Sequence, residues 1–174
     1  MMAIYRPRGY TLVELMVALA AGSFLLAGVS LSYSAIKGTI SVSKELENAQ
    51  EVIRYTSKVF TRSIKQTPSA PLVAADGSAI TVTQPTGVIT CNGSVSTADI
   101  NEVYSLVGNN LMCTLGAAPA ERLLTGVARL SFAIDNNIVT INVGPENLPA
   151  QFGNTIAIDI AVSNVISNNA FGGV

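Results

Sequence analysis

The chain has 174 residues, a formal net charge of −1 and 49% hydrophobic residues. That length holds one modest domain plus a long helix, not two full domains. There is no histidine and no tryptophan. The first absence removes the commonest general base and the commonest metal ligand, and the near-neutral total gives no general attraction to nucleic acid.

Charge is unevenly placed. Residues 37–66 carry six basic and three acidic side chains. From residue 67 onward only Arg122 and Arg129 are basic, against Asp76, Asp99, Glu102, Glu121, Asp135, Glu146 and Asp159. A net-acidic, lysine-free C-terminal part repels phosphate backbones and argues against direct nucleic-acid binding there.

The N-terminal block comes first. Arg6 and Arg8 precede a stretch without charge from Leu15 to Ile36, which is 22 residues. At about 1.5 Å per residue this crosses a hydrocarbon core of roughly 30 Å as a helix. The basic residues before it hold the N-terminus in the cytoplasm and send the rest across. Three readings compete. A secretory signal peptide needs a short apolar region followed by a small-residue cleavage site; Ala18-Leu19-Ala20 offers one, but inside an apolar run that continues to Ile36. An uncleaved signal anchor is the second reading. The third accounts for Glu14, because an ionisable group near the start of a membrane helix is costly and is usually paired or functional. A Glu14 shallow enough to reach the headgroups needs no function, but that leaves unexplained Gly9, five residues earlier and directly after the basic leader.

Gly9-Tyr10-Thr11-Leu12-Val13-Glu14-Leu15 resembles the class III signal of type IV prepilins and type II secretion pseudopilins. That pattern has a basic leader, a glycine, an aromatic or hydrophobic first mature residue and glutamate at the fifth mature position. The resemblance implies a membrane aspartic peptidase that cuts after Gly9 and methylates the new amine on Tyr10; tyrosine replaces the more usual phenylalanine there. It also gives Glu14 an assembly role. In low dielectric an unpaired amine and an unpaired carboxylate are both costly, and an incoming subunit's amine can meet Glu14 of a subunit already in place. The pairing would set a register between helices.

Ala18, Ala20, Ala21, Gly22, Ser23, Ala27 and Gly28 allow close helix approach, although small residues are common in membrane helices. Many major pilins carry a kinking proline where this chain has Leu31, so any local melting would rest on Gly22 or Gly28. Over residues 37–66, Val42, Leu46, Ala49, Ile53, Phe60 and Ile64 recur at helical spacings with Thr56 filling the gap, which predicts an amphipathic helix. Glu51 and Arg54 stand at i,i+3. The basic residues gather late, which suits the helix dipole, and Pro68 and Pro71 end the helix. The prediction is one helix from about Thr11 to Gln66, its second half under a sheet; a free coiled coil is the alternative.

Beyond Pro71 the signals are short β-runs and turns. Strands are predicted at Ala79–Thr83, Val88–Cys91, Glu102–Val107 and Leu111–Leu115, the last two joined by a Gly108-Asn109-Asn110 hairpin. Leu123–Ile134 reads as one long strand, or as a short helix followed by a strand. Ile138–Val143 pairs back across Asp135-Asn136-Asn137, and Thr155–Val165 closes the chain. An antiparallel sheet covering the helix results: an α+β pilin-like fold with a leader at 1–9, a transmembrane helix at 10–36, an amphipathic stalk at 37–66 and a β-rich head at 67–174. The run Leu123-Leu124-Thr125-Gly126-Val127-Ala128-Arg129-Leu130-Ser131-Phe132 resembles, loosely, a segment of PilW-type minor pilins and J-type pseudopilins.

Cys91 and Cys113 enclose a moderate loop, and a translocated head meets oxidants, so a disulfide is expected over two buried thiols. No CxxC, HExxH, GxSxG, Walker or GxGxxG pattern occurs. Asp135-Asn136-Asn137 reads as a hairpin turn before it reads as a calcium loop. The expectation is a structural minor pilin, not an enzyme, without cofactor or metal, that helps initiate or cap filaments. Its implied partners are other major and minor pilins, the prepilin peptidase/N-methyltransferase and the inner-membrane assembly platform. The implied location is the inner membrane with a periplasmic head, then the surface fibre. A type II secretion pseudopilin is the alternative, and a tip adhesin or DNA-uptake module is a further one.

Overall fold

The structure, a computed structural model, describes residues 9, 11–149, 152–163 and 167. The chain divides into two compact units, Met1–Ser43 and Lys44–Val174. One helix, α1 (Leu12–Gln66), contributes to both.

In the first unit nearly every described residue is exposed, including Phe24, Leu25, Leu26 and Leu31. This part of α1 is long and apolar enough to cross a membrane. Some of its hydroxyls bond back to the helix. The Ser23 hydroxyl donates to the Ala20 carbonyl at 2.7 Å and that of Ser32 to the Gly28 carbonyl at 3.0 Å. Such bonds reduce the cost of a hydroxyl in hydrocarbon.

In the second unit α1 buries Ala49, Val52, Thr56, Val59, Phe60, Ser63 and Ile64. The steps between them are three or four residues for one face, or one where neighbours share it. This corrects the sequence reading in part. Ile53 is only half-buried and Val42 is exposed, while Val52 and Val59 carry the face. Two candidate stripes one residue apart look alike on paper, and contact with the sheet selects one. The helix stops at Gln66, before Pro68. There the Thr67 hydroxyl donates to the Ser69 carbonyl at 2.9 Å.

The strands are β1 (Leu72–Val73), β2 (Ala79–Gln84), β3 (Ile100–Val107), β4 (Asn110–Leu115), β5 (Glu121–Thr125), β6 (Val127–Asp135), β7 (Ile138–Pro145) and β8 (Ile156–Ala161). They form two antiparallel sheets, β1-β2-β3-β4-β5 and β6-β7-β8. The run 123–134, read as one long strand or as a short helix followed by a strand, is therefore two strands in two sheets. Gly126, at φ +84°, makes the break; that left-handed conformation is one glycine adopts without a Cβ penalty. Val88–Cys91 is not a strand. Only an isolated bridge, Ile89 to Val95, survives there, because Gly87 and Gly93 both turn at positive φ. Asn136, at φ 54°, turns β6 into β7, as the polar hairpin reading requires.

The core lies between α1 and the strands. Phe60 packs on Tyr104 with ring centroids 4.9 Å apart and edge-on to Phe132 at 5.4 Å. Ile80, Val82, Leu111, Val139, Ile141, Val143 and Ile160 close around them. Cys91 is bonded to Cys113 with Cα atoms 6.5 Å apart, closing a loop of sequence separation 22. Replacing both cysteines by serine should lower head stability by about 3 kcal/mol, since the cross-link restricts the unfolded chain. The denaturant midpoint of the detergent-solubilised protein measures this, and an unchanged midpoint contradicts it.

Candidate processing and assembly site

The site is the start of α1. Gly9 is exposed and extends no helix. Tyr10 and the leader before Gly9 lie outside the described residues, so the cleavage point is defined here by sequence alone. Thr11 is the cap: the Glu14 backbone N–H donates to the Thr11 hydroxyl at 3.3 Å. The Leu15 N–H donates to the Thr11 carbonyl at 3.2 Å, which begins the helical ladder. A side-chain oxygen at this position satisfies one of the four orphan N–H groups of a helix start.

This places Glu14 as the third helical residue, in the first turn, where a carboxylate also meets the positive end of the helix dipole. Its side chain is exposed. The arrangement offers a carboxylate in the first turn of an apolar helix. The sequence reading singled out Gly9 and Glu14 but not Thr11. The Thr11-x-x-Glu14 spacing is a capping-box pattern and was available as a signal.

A second cluster went unrecognised. Glu102, 1% exposed, is the only carboxylate among the buried residues described. Its Oε2 accepts from the Ser63 hydroxyl at 2.6 Å, the Gln84 amide at 3.0 Å and the Tyr104 phenol at 2.8 Å. Its Oε1 accepts the Cys91 backbone N–H at 2.6 Å. One side chain thus joins α1, β2, β3 and the disulfide loop. Burial, and then the charge of Glu102, push the Tyr104 phenol well above its ordinary range. The phenol remains a donor at neutral pH. Its contribution is complete below the unfolded phenol pKa of about 10 and fades as pH rises beyond that.

Among the described residues no group of histidine, cysteine or carboxylate side chains could hold a metal ion. Glu121, Asp135 and Asp159 are separate and exposed.

Residues 5–30 match the prokaryotic N-terminal methylation motif. The match spans the end of the leader, Gly9, Glu14 and most of the apolar run, and it supports a prepilin-type protein, pilin or pseudopilin. Such a motif implies processing by prepilin peptidase and assembly with other pilins. No curated protein matches the chain. Prepilin-type motif and fold, with one long helix packed through its second half on antiparallel sheets, indicate a structural protein. The apolar N-terminal helix fits an inner-membrane anchor.

Proposed function

We propose that the chain is a minor subunit of a type IV pilus, cut after Gly9, N-methylated on Tyr10 and assembled through Glu14, with a role in initiating or capping the filament. The observation that carries the proposal is the register of Gly9, a capped Glu14 and an exposed apolar helix inside the matched motif. Before assembly α1 spans the inner membrane with the head in the periplasm. In the fibre its apolar half leaves lipid for contact with neighbouring helices, and the charge of Glu14 is met by an amine instead of by headgroups.

The experiment is fractionation of cells with and without the prepilin peptidase. The protein should appear in sheared surface fibres only when the peptidase is present, and should otherwise stay in the membrane. Equal recovery from the sheared fraction in both strains would overturn the proposal. Normal piliation of a deletion strain that fails to secrete would instead assign the protein to a secretion pseudopilus.

A further inference from the structure

The strand orders β1-β2-β3-β4-β5 and β6-β7-β8 leave outer edges at β1, β5, β6 and β8. The first three are closed or blunted. β1 is two residues long. β5 carries the exposed Glu121 and Arg122, follows Pro119 and pairs with β4 through a register shift. The outer side of β6 is engaged by other parts of the head: the Phe132 N–H donates to the Gly77 carbonyl at 2.9 Å and the Val127 N–H to the Asn109 carbonyl at 3.2 Å. Short strands, charges, proline, irregular register and covering loops all stop a sheet from adding a further strand.

β8 is far less protected. All six of its residues, Ile156–Ala161, pair with β7 without a shift, and the strand contains no proline, lysine, arginine or glycine. Among the described residues no backbone group outside β7 bonds to it. In an antiparallel pair every second residue turns its N–H and C=O away from the partner, so β8 presents a row of unpaired donors and acceptors at the spacing of an extended chain. Its core-side row is unfinished as well. Ile160 is buried, but Ile156 and Ile158 are only half-buried, although they stand opposite Val143 and Ile141 of the core. The other row is Ala157, Asp159 and Ala161, all exposed. Asp159 accepts from the Thr140 hydroxyl at 2.7 Å and, among the described residues, forms no ion pair.

Asp159 limits what can add there. Two copies of β8 related by a twofold axis run antiparallel, and keeping the isoleucines on the core side leaves two centred registers. One sets Asp159 directly on Asp159. The other sets it on Ala157, with the two carboxylates as diagonal neighbours. Like charges so placed oppose pairing. A strand from a different polypeptide meets no such conflict if it carries a base at that point. The occupant that fits is an extended segment with apolar side chains at alternate positions, which cover Ile156 and Ile158. On its opposite face it carries a lysine or arginine to meet Asp159.

We propose that the free edge of β8 is a strand-acceptor site, to which such a segment of another polypeptide adds as a further strand of the β6-β7-β8 sheet. This site is independent of how the leader is processed. The probe is a labelled synthetic peptide with valine at alternate positions, a central lysine and threonine elsewhere, titrated against the detergent-solubilised full-length protein by fluorescence anisotropy. Binding should be saturable. N-methylation at alternate residues blocks one edge of the peptide: one set of methyl groups should weaken binding at least tenfold, and the other should leave it within about twofold. Asp159→Lys should weaken the lysine peptide several-fold and strengthen a peptide with glutamate in its place, which loss of folding would not do. Both native cysteines are consumed in the disulfide, so introduced cysteines report without competition. A peptide carrying a cysteine should form a disulfide with Ala157→Cys protein at least tenfold more than with protein carrying Arg122→Cys in β5. No saturable binding, equal sensitivity to both methylated sets, no reversal at Asp159, or equal capture at β5 would each overturn the proposal. Ala157→Cys protein that cross-links to itself in preference to the peptide would give the edge to a second copy and overturn it too.

Discussion

Glu14→Leu protein will reach the membrane at normal levels and be absent from sheared fibres. The substitution makes the first turn more apolar, so membrane insertion becomes easier. What disappears is the carboxylate proposed to answer the amine of another subunit. Once both helices are withdrawn from water, an uncompensated amine is expensive, and breaking a buried charge pair costs about 3–5 kcal/mol. That is more than a hundredfold in the assembly equilibrium, taking about 1.4 kcal/mol per tenfold. Glu14→Gln should fall between, since it keeps an acceptor and loses the charge. Quantitative blotting of sheared and membrane fractions gives the answer. Undiminished Glu14→Leu protein in fibres contradicts the role assigned to this residue. Thr11 is a milder case: its hydroxyl caps one N–H, so Thr11→Ala should cost about 1 kcal/mol at the helix start and leave assembly reduced but present.

Glu102→Gln will destabilise the head more than loss of the disulfide does. The carboxylate accepts four donors, from Ser63, Gln84, Tyr104 and the Cys91 N–H. An amide of the same shape retains one oxygen and places an NH2 where the other stood. Either the Cys91 N–H or the three donors around Oε2 then face a donor. Each buried group left unpaired costs about 1–3 kcal/mol, so the total is about 3–5 kcal/mol, in line with a broken buried charged network. Thermal unfolding of the detergent-solubilised protein measures the loss. A melting temperature within a degree of the parent contradicts the account of Glu102 as the point that fastens α1 to the sheet.

The parts of this molecule that were legible in sequence are those governed by one-dimensional patterns. A bilayer imposes an uncharged run of fixed length, so residues 15–36 and the misplaced Glu14 stand out without any knowledge of tertiary contacts. The hairpin turns at Gly108-Asn109 and Asn136-Asn137 were legible because positive φ restricts the residue type. The parts that were not legible depend on which side chains meet. Glu102 looks like any acid in a strand until Ser63 and Gln84, 39 and 18 residues away, are brought to it. Gly126 marks a break in a strand, but the sequence does not say that the next segment, β6, joins another sheet. Val52 and Ile53 are equally plausible core residues, and only packing against the strands decides between them.

Intact mass of the membrane-extracted protein, from cells with and without the prepilin peptidase, is the most direct test. The account predicts a chain beginning at Tyr10 with one added methyl group when the peptidase is present, and a chain that keeps its leader when it is absent. A leader still attached to Tyr10 in peptidase-containing cells, or a cut at any other bond, would contradict it.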